Sequence, residues 1–251
     1  MTMEAIVLAA GIGHRLWPLT KDRPKSLIDL GGGRSILGMQ LTQFRDHPDV
    51  ASVTIVTGHR ADVVDEEIAR NWREIASTRY NPFFADAGPL ISLWAVRDRL
   101  LATDFVVVNG DTLFRQGVIS SVLKHSAAGG CYLVASLAQE NGPDDVRVRL
   151  DADRVIEVGK GLPTADARSA GMLAVTGEAS RHSAVDVLDE MLRDPAFLDP
   201  AIPWHAWVAR LAAEGPGVEA LLVEETEWSE IDLHPELDDL RQALASRLPP
   251  A

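Results

Sequence analysis

Three short runs of β-branched and other apolar residues, each stopping at a glycine-containing turn, restrict this chain to a layered α/β architecture. They are Glu4 to Leu8 (Glu-Ala-Ile-Val-Leu), Ser52 to Thr57 (Ser-Val-Thr-Ile-Val-Thr) and Asp104 to Val108 (Asp-Phe-Val-Val-Val). Such runs read as strands buried on both faces. Between and after them, Ser35 to Phe44, Asp62 to Ile75 and Leu90 to Leu101 carry apolar residues at three- and four-residue spacing, with Ser35 and Asp62 placed as N-caps. Strands alternating with helices predict a mainly parallel sheet with helices on both faces. From about Cys131 to Val175 the period shifts toward two, as in Val146 to Leu150 and Val155 to Val158, which predicts antiparallel strands added at the sheet's edge. Helical spacing returns at Ala184 to Leu192 and Trp204 to Ala212. A strand at Val218 to Val223, a last helix from about Pro235 to Leu248 and an unstructured Pro249-Pro250-Ala251 tail follow.

The 251 residues suit one domain, 1–251. Thirty-seven acidic against 24 basic residues give a formal charge of −13, which argues against a nucleic-acid partner, because phosphate backbones select a basic face. Cys131 is the single cysteine, so neither an internal disulfide nor a cysteine-rich metal site is expected. The N-terminal apolar stretch is too short for a signal peptide, and no run approaches the ~18 apolar residues of a membrane span. A cytoplasmic setting without a membrane partner is expected, and composition leaves the oligomeric state open.

In open α/β sheets ligands sit beyond the carboxyl ends of the strands. The segments there are Gly11 to Lys25, Gly58 to Arg60 and Asn109 to Asp111. The first, Leu8-Ala9-Ala10-Gly11-Ile12-Gly13-His14-Arg15-Leu16-Trp17-Pro18-Leu19-Thr20 continuing to Arg23-Pro24-Lys25-Ser26-Leu27, combines small residues that let backbone N–H groups face an anion with two cations, Arg15 and Lys25. A lone Gly-x-Gly is equally a strand-to-helix turn. This one has neither the third glycine of a dinucleotide fingerprint nor the Gly-Lys-Ser/Thr of a Walker loop.

The whole string resembles the signature of the sugar-phosphate and choline-phosphate nucleotidyltransferases, and is most like the short bacterial choline-phosphate cytidylyltransferases. The resemblance implies a Rossmann-like nucleotidyltransferase fold. Residues 1–115 would bind the nucleotide and 116–251 the acceptor. Arg15 and Lys25 would hold the triphosphate, while Leu8, Ala9, Ala10, Gly11 and Gly13, with Gly58, Gly88 and Ser92, would line the nucleotide site. Asp111, delivered by the strand Val106 to Val108, is a turn residue or cap by itself. Within the family pattern it occupies the Gly-Asp position of an Mg2+ ligand. Trp228-Ser229-Glu230-Ile231-Asp232 resembles the segment that returns to the active site in shorter members, implying Asp232 as the second metal ligand. Alone, it reads as a solvated strand end. Lys160 and Gly171 of Ser169-Ala170-Gly171-Met172, together with Trp228 and Glu230, are implied on the acceptor side.

The stretch Asn81-Pro82-Phe83-Phe84 and Gly88-Pro89-Leu90-Ile91-Ser92-Leu93-Trp94 resembles the cytidylyltransferase branch, so CTP is the favoured NTP, although Gly88-Pro89 departs from the pattern. Thr57-Gly58-His59-Arg60 likewise replaces a Thr-Gly-Tyr-Lys. The expected activity transfers CMP to a small phosphorylated acceptor, phosphocholine or a related amino-alkyl phosphate or phosphonate, with Trp228 as an aromatic contact for its amine. Trp204 and Trp207 follow helical spacing and read as core. Sugar 1-phosphate or inositol phosphate acceptors are the alternative. An inactive nucleotide-sensing module and a dinucleotide-dependent oxidoreductase are the rivals from other classes.

Overall fold

The structure is a computed structural model that describes residues 2–137, 142 and 144–245. In chain order the strands and helices are β1 (Met3–Ala9), α1 (Ile36–Arg45), β2 (Val50–Thr57), α2 (Ala61–Asn71), β3 (Ala76–Tyr80), α3 (Pro89–Trp94), α4 (Arg97–Ala102), β4 (Phe105–Asn109), β5 (Thr112–Phe114), α5 (Gln116–His125), β6 (Gly130–Leu137), β7 (Arg147–Asp151), β8 (Arg154–Gly159), β9 (Ala167–Thr176), α6 (Glu178–Met191), α7 (His205–Glu214), β10 (Glu219–Val223), β11 (Trp228–Glu230) and α8 (His234–Ala245). The expected end of α8 at Leu248 and the Pro-Pro-Ala tail lie outside the described residues.

Nine strands form one sheet in the order β3-β2-β1-β4-β9-β6-β10-β8-β7, and a further β9–β7 pairing closes the last five into a small ring. β1, β2, β3 and β4 run parallel, as the buried runs predict. Of the antiparallel strands, β7 and β8 stand at the end of the sheet order as expected, whereas β9 lies in the sheet's interior, antiparallel to both β4 and β6. Period-two patterning reports strand geometry but not strand order, which depends on partners far away in sequence.

Alternation along β1 sends Ile6 to one face and Ala5 and Val7 to the other. The first face packs α3, α4, α6 and α7, and the second α1, α2 and α5. A third apolar cluster seats Leu237 and Leu244 of α8 against Leu16, Ile28, Leu30, Leu113 and Ile231. This contact holds the C-terminal helix over the loop after β1.

Local chemistry explains the boundaries. Ser35 caps α1, accepting from Gly38 N at 3.1 Å. Asp62 is not the cap of α2. Arg60 occupies that position in the left-handed region and pairs with Asp62 inside the first turn. The helix expected over Leu90 to Leu101 is two short helices, interrupted at Ala95–Val96. The polar strand β3 and helix α5 carry little of the buried-run signal and were not expected.

Candidate active site

The strand order reverses between β1 and β4, so the loops leaving their carboxyl ends open a crevice between them. Leu8, Ala9, Gly11, Gly13, Arg15, Lys25, Asp111 and Asp232 line a cleft of about 360 Å³ there. The loop after β1 is tied down from several sides. Gly13, at φ +69°, starts a short 3₁₀ turn over His14–Leu16, and its carbonyl accepts from the Thr20 hydroxyl at 2.9 Å. His59 donates its backbone N–H to Ala10 O and its Nε2–H to Thr20 O at 2.8 Å. Gly58 is required by close approach, since a Cβ there would lie 2.6 Å from Ala10 O.

Asp232 reaches this cleft through a small second sheet. β11 pairs antiparallel with β5, Glu230 opposite Thr112, and Ile231 N donates to Asp111 O at 3.1 Å. Two aspartates 121 positions apart in the chain thereby meet across one ammonium group. Lys25 Nζ contacts Asp111 Oδ2 and Asp232 Oδ1, each at 2.6 Å. Burial alone works against the Lys25 charge, but Asp111 and Asp232 outweigh it and its pKa is raised. Burial opposes the Asp232 charge in the same way, yet Lys25 and Arg15 hold its pKa below the ordinary value.

Glu230 completes a triad with Asp111 and Asp232 in which one oxygen from each lies within 4.8 Å of the others. Burial first, then the two aspartate charges, push Glu230 up to about 8. Asp111 Oδ1 is buried without a protein hydrogen-bond partner among the described residues. An orphaned carboxylate oxygen beside two further acids is a hard, oxygen-only donor set suited to Mg2+.

Arg15 is half exposed and reaches Asp144 at 2.8 Å and Asp232 at 3.4 Å. Lys160, after β8, approaches the same Asp144 at 3.5 Å. Asp144 therefore stands between the two cations expected to hold different phosphates. Lys160, Gly171 and Glu230 line a second cleft of about 290 Å³, shared with Arg15, Asp111 and Asp232 and walled by Asn109, Ser169, Trp204 and His205. Beside it lies an open cleft of about 530 Å³ in which acids, including Asp144, Asp145, Glu236 and Asp239, outnumber the two arginines, Arg15 and Arg168.

Ser92 and Gly88 do not line these clefts, and other expected site residues are placed differently from their expected roles. Ser92 is buried, and its hydroxyl accepts from Asn81 Nδ2 at 3.0 Å. Gly88 starts α3 and donates to Leu198 O. Ser92 thus holds the Asn81 turn, and Gly88 packs closely against the backbone of Asp199. Trp228 is buried in the wall of the 530 Å³ cleft with the Arg168 guanidinium over its ring, 4.6 Å from the centroid, so an internal cation takes the face expected to receive a ligand amine. Glu230, expected on the acceptor side, groups with the two aspartates. Trp204 and Trp207 are both core, as their helical spacing predicts, and Trp204 in addition walls the second cleft. Asn109 and Ser169 lie in segments expected at the site but without roles of their own, and His205 carries no local signal, because only pairing in space gives these residues a role.

A family model described as nucleotidyl transferase matches residues 4–144. The UTP–glucose-1-phosphate uridylyltransferase AglF of Haloferax volcanii is 31% identical over 112 residues, covering 45% of this chain and 44% of that one. A glucose-1-phosphate adenylyltransferase of Paenarthrobacter aurescens is 30% identical over 150 residues, covering 54% and 31%. The aligned part thus spans less than half the length of these curated relatives. Among solved structures, the CTP:phosphocholine cytidylyltransferase LicC of Streptococcus pneumoniae superposes with a TM-score of 0.77 at 19% identity, covering 97% of this chain and 100% of that one. The inositol-1-phosphate CTP transferase of T. maritima gives 0.79 at 18%, covering 99% and 98%. At such identities the superpositions establish a shared fold.

Proposed function

The chain belongs to the nucleotidyl transferase family, and on that premise we propose that it transfers a nucleoside monophosphate, CMP by preference, from an NTP to a small phosphorylated acceptor and releases pyrophosphate. The observation that carries the reading is Lys25 held between Asp111 and Asp232, with the orphaned Asp111 Oδ1 beside them, at the mouth of the loop after β1. Residues 1–115 are read as the nucleotide-binding part and 116–251 as the acceptor part of one domain. In this reading Arg15 and the backbone of Ala10 to Gly13 receive the triphosphate, and Lys160 receives the acceptor's phosphate. The acceptor is already anionic at neutral pH, so the reaction needs alignment and charge neutralisation more than a general base.

Magnesium held by Asp111 and Asp232 would supply the positive charge that lets two anions approach. Lys25 fixes one oxygen of each aspartate and helps hold the Asp232 pKa below its ordinary value, leaving the other oxygens directed elsewhere. Arg15 neutralises the departing pyrophosphate once ligand phosphate displaces Asp144 from it.

The acceptor is read as an amine-bearing phosphate ester such as phosphocholine. Support comes from the acids of the 530 Å³ cleft and from the likeness to the structure of a CTP:phosphocholine cytidylyltransferase. Because the ring of Trp228 is covered, carboxylates rather than that indole would meet the amine. The curated sequence relatives are named for glucose 1-phosphate, which makes a sugar 1-phosphate the second reading. A pyrophosphate-release matrix of CTP, UTP, GTP, dTTP and ATP against phosphocholine, aminoethylphosphonate, inositol phosphate and hexose 1-phosphates decides between them. A hexose 1-phosphate preference would remove the amine acceptor, and NTP binding without turnover of any pair would leave an inactive nucleotide-sensing module.

A further inference from the structure

Two side chains in the wall of the Lys160 cleft have their hydrogen-bonding polarity fixed from behind by the start of α7. Ser169 Oγ accepts from Gly171 N at 3.1 Å and lies 2.9 Å from His205 Nε2. His205 is buried, stacks on Trp204 with centroids 4.2 Å apart, and its Nδ1 has no protein partner among the described residues. One proton joins Ser169 to His205, and the pair owns two. If Ser169 donated to Nε2, the remaining proton would sit on Nδ1 as a buried, unsatisfied N–H, the more damaging kind of orphan. If Nε2–H donates to Ser169, Nδ1 keeps only a lone pair. The serine proton is then free toward the cleft, where water or ligand can accept it. Burial first, and then the Lys160 charge, lower the His205 pKa to about 3, consistent with one ring proton at neutral pH.

The neighbouring Asn109 is fixed in the same sense. Trp204 Nε1 can only donate, and it does so to Asn109 Oδ1 at 2.8 Å, which assigns the amide orientation and leaves the NH2 as the other end. Gly171 accommodates that amide. Its φ is +71°, and a Cβ there would lie 2.6 Å from Asn109 Nδ2.

We propose that Ser169 is a donor-only contact for an oxygen of the phosphorylated acceptor, with His205 as the positioning residue that fixes its polarity. The proposal rests on the reading of the Lys160 cleft as the acceptor pocket. Ser169 O–H, the Asn109 amide and the Lys160 ammonium then form a wall that offers only protons, matched to phosphate oxygens and mismatched to an ammonium group. The acceptor therefore enters with its anionic end on this wall, and any amine is directed away from it toward the carboxylates that line both this cleft and the 530 Å³ one.

Two measurements test this. Nitrogen-15 NMR of the full chain labelled at histidine, with His205 assigned by the signal missing in His205→Gln, is expected to show the neutral Nε2–H tautomer at pH 7. The Nδ1–H tautomer would overturn the lock. In kinetics, Ser169→Ala is expected to raise the KM for phosphocholine, or for whichever acceptor the wild type prefers, by about tenfold or more, since a hydrogen bond to a charged group is lost. The KM for NTP should stay near the wild-type value. His205→Leu should show the same split, and His205→Gln, which keeps an N–H for Ser169, should recover part of it. An unchanged acceptor KM in Ser169→Ala, or equal rises for both substrates, refutes the contact. Absence of turnover with every acceptor in the wild type overturns the functional reading and the acceptor contact together, while the tautomer measurement decides the lock independently.

Discussion

Replacing Lys25 by methionine keeps the length of the side chain and removes the cation between Asp111 and Asp232. The two contacts at 2.6 Å join a nearly buried ammonium, 13% exposed, to carboxylates 24% and 23% exposed. At an effective dielectric near 20, each such pair is worth ~4 kcal/mol before desolvation. Burying Lys25 consumes part of this, and breaking a buried pair costs ~3–5 kcal/mol because an uncompensated charge remains. The carboxylates keep about a quarter of their exposure, so a discounted loss of ~2–4 kcal/mol is expected without metal. For a chain of 251 residues this corresponds to a Tm lower by roughly 4–15 °C. Mg2+ should restore part of the loss, because it supplies positive charge to the same oxygens. Calorimetric melts of wild type and Lys25→Met, each in EDTA and in excess Mg2+, measure both effects. A variant as stable as wild type in EDTA would refute the electrostatic account of Lys25, and one destabilised but indifferent to Mg2+ would refute the aspartates as a metal site.

Asp111→Asn and Asp232→Asn should each lower pyrophosphate release by at least ~100-fold, more than the ~10–100-fold seen for outer partners of metal ligands. Their circular dichroism should be unchanged, and near-wild-type rates at limiting Mg2+ would dismiss that residue as a ligand. His205 has a folded pKa of about 3 against ~6.5 unfolded, so the unfolded chain binds the extra proton as pH falls. Its contribution is complete above pH ~6.5 and declines by ~1.4 kcal/mol per pH unit toward pH 3, about 2 kcal/mol between pH 7 and 5. Urea titrations should show this slope in wild type and a shallower one in His205→Gln, and parallel slopes would refute the assignment. Gly171→Ala should destabilise by ~1–3 kcal/mol, through strain at φ +71° and contact with Asn109. It should also raise the acceptor KM, and an unaltered melt would show that the strand yields there.

The chain's own order of residues was enough to place β1, β2 and β4, because an uninterrupted apolar run ending in glycine has few other structures open to it. The same order located the loop carrying Arg15 and Lys25, the carboxylate Asp111 at a strand's end and, through family likeness, Asp232. Elements whose signal is weak or shared escaped it: β3 is largely polar on an edge, and Ala95–Val96 breaks a stretch of uniform helical spacing. Tertiary structure decided what these groups do to one another. Pairing of β11 with β5 joins Asp232 to Asp111 and places Lys25 between the two as the ion-pair partner of both. Packing of Arg168 over Trp228 closes an aromatic face that looked available. The first turn of α7 gives Asn109 and Ser169 a fixed polarity. Local patterns report what a residue's near neighbours favour, whereas charge state, hydrogen-bond direction and exposure depend on groups a hundred residues away, brought into contact only when the sheet is assembled.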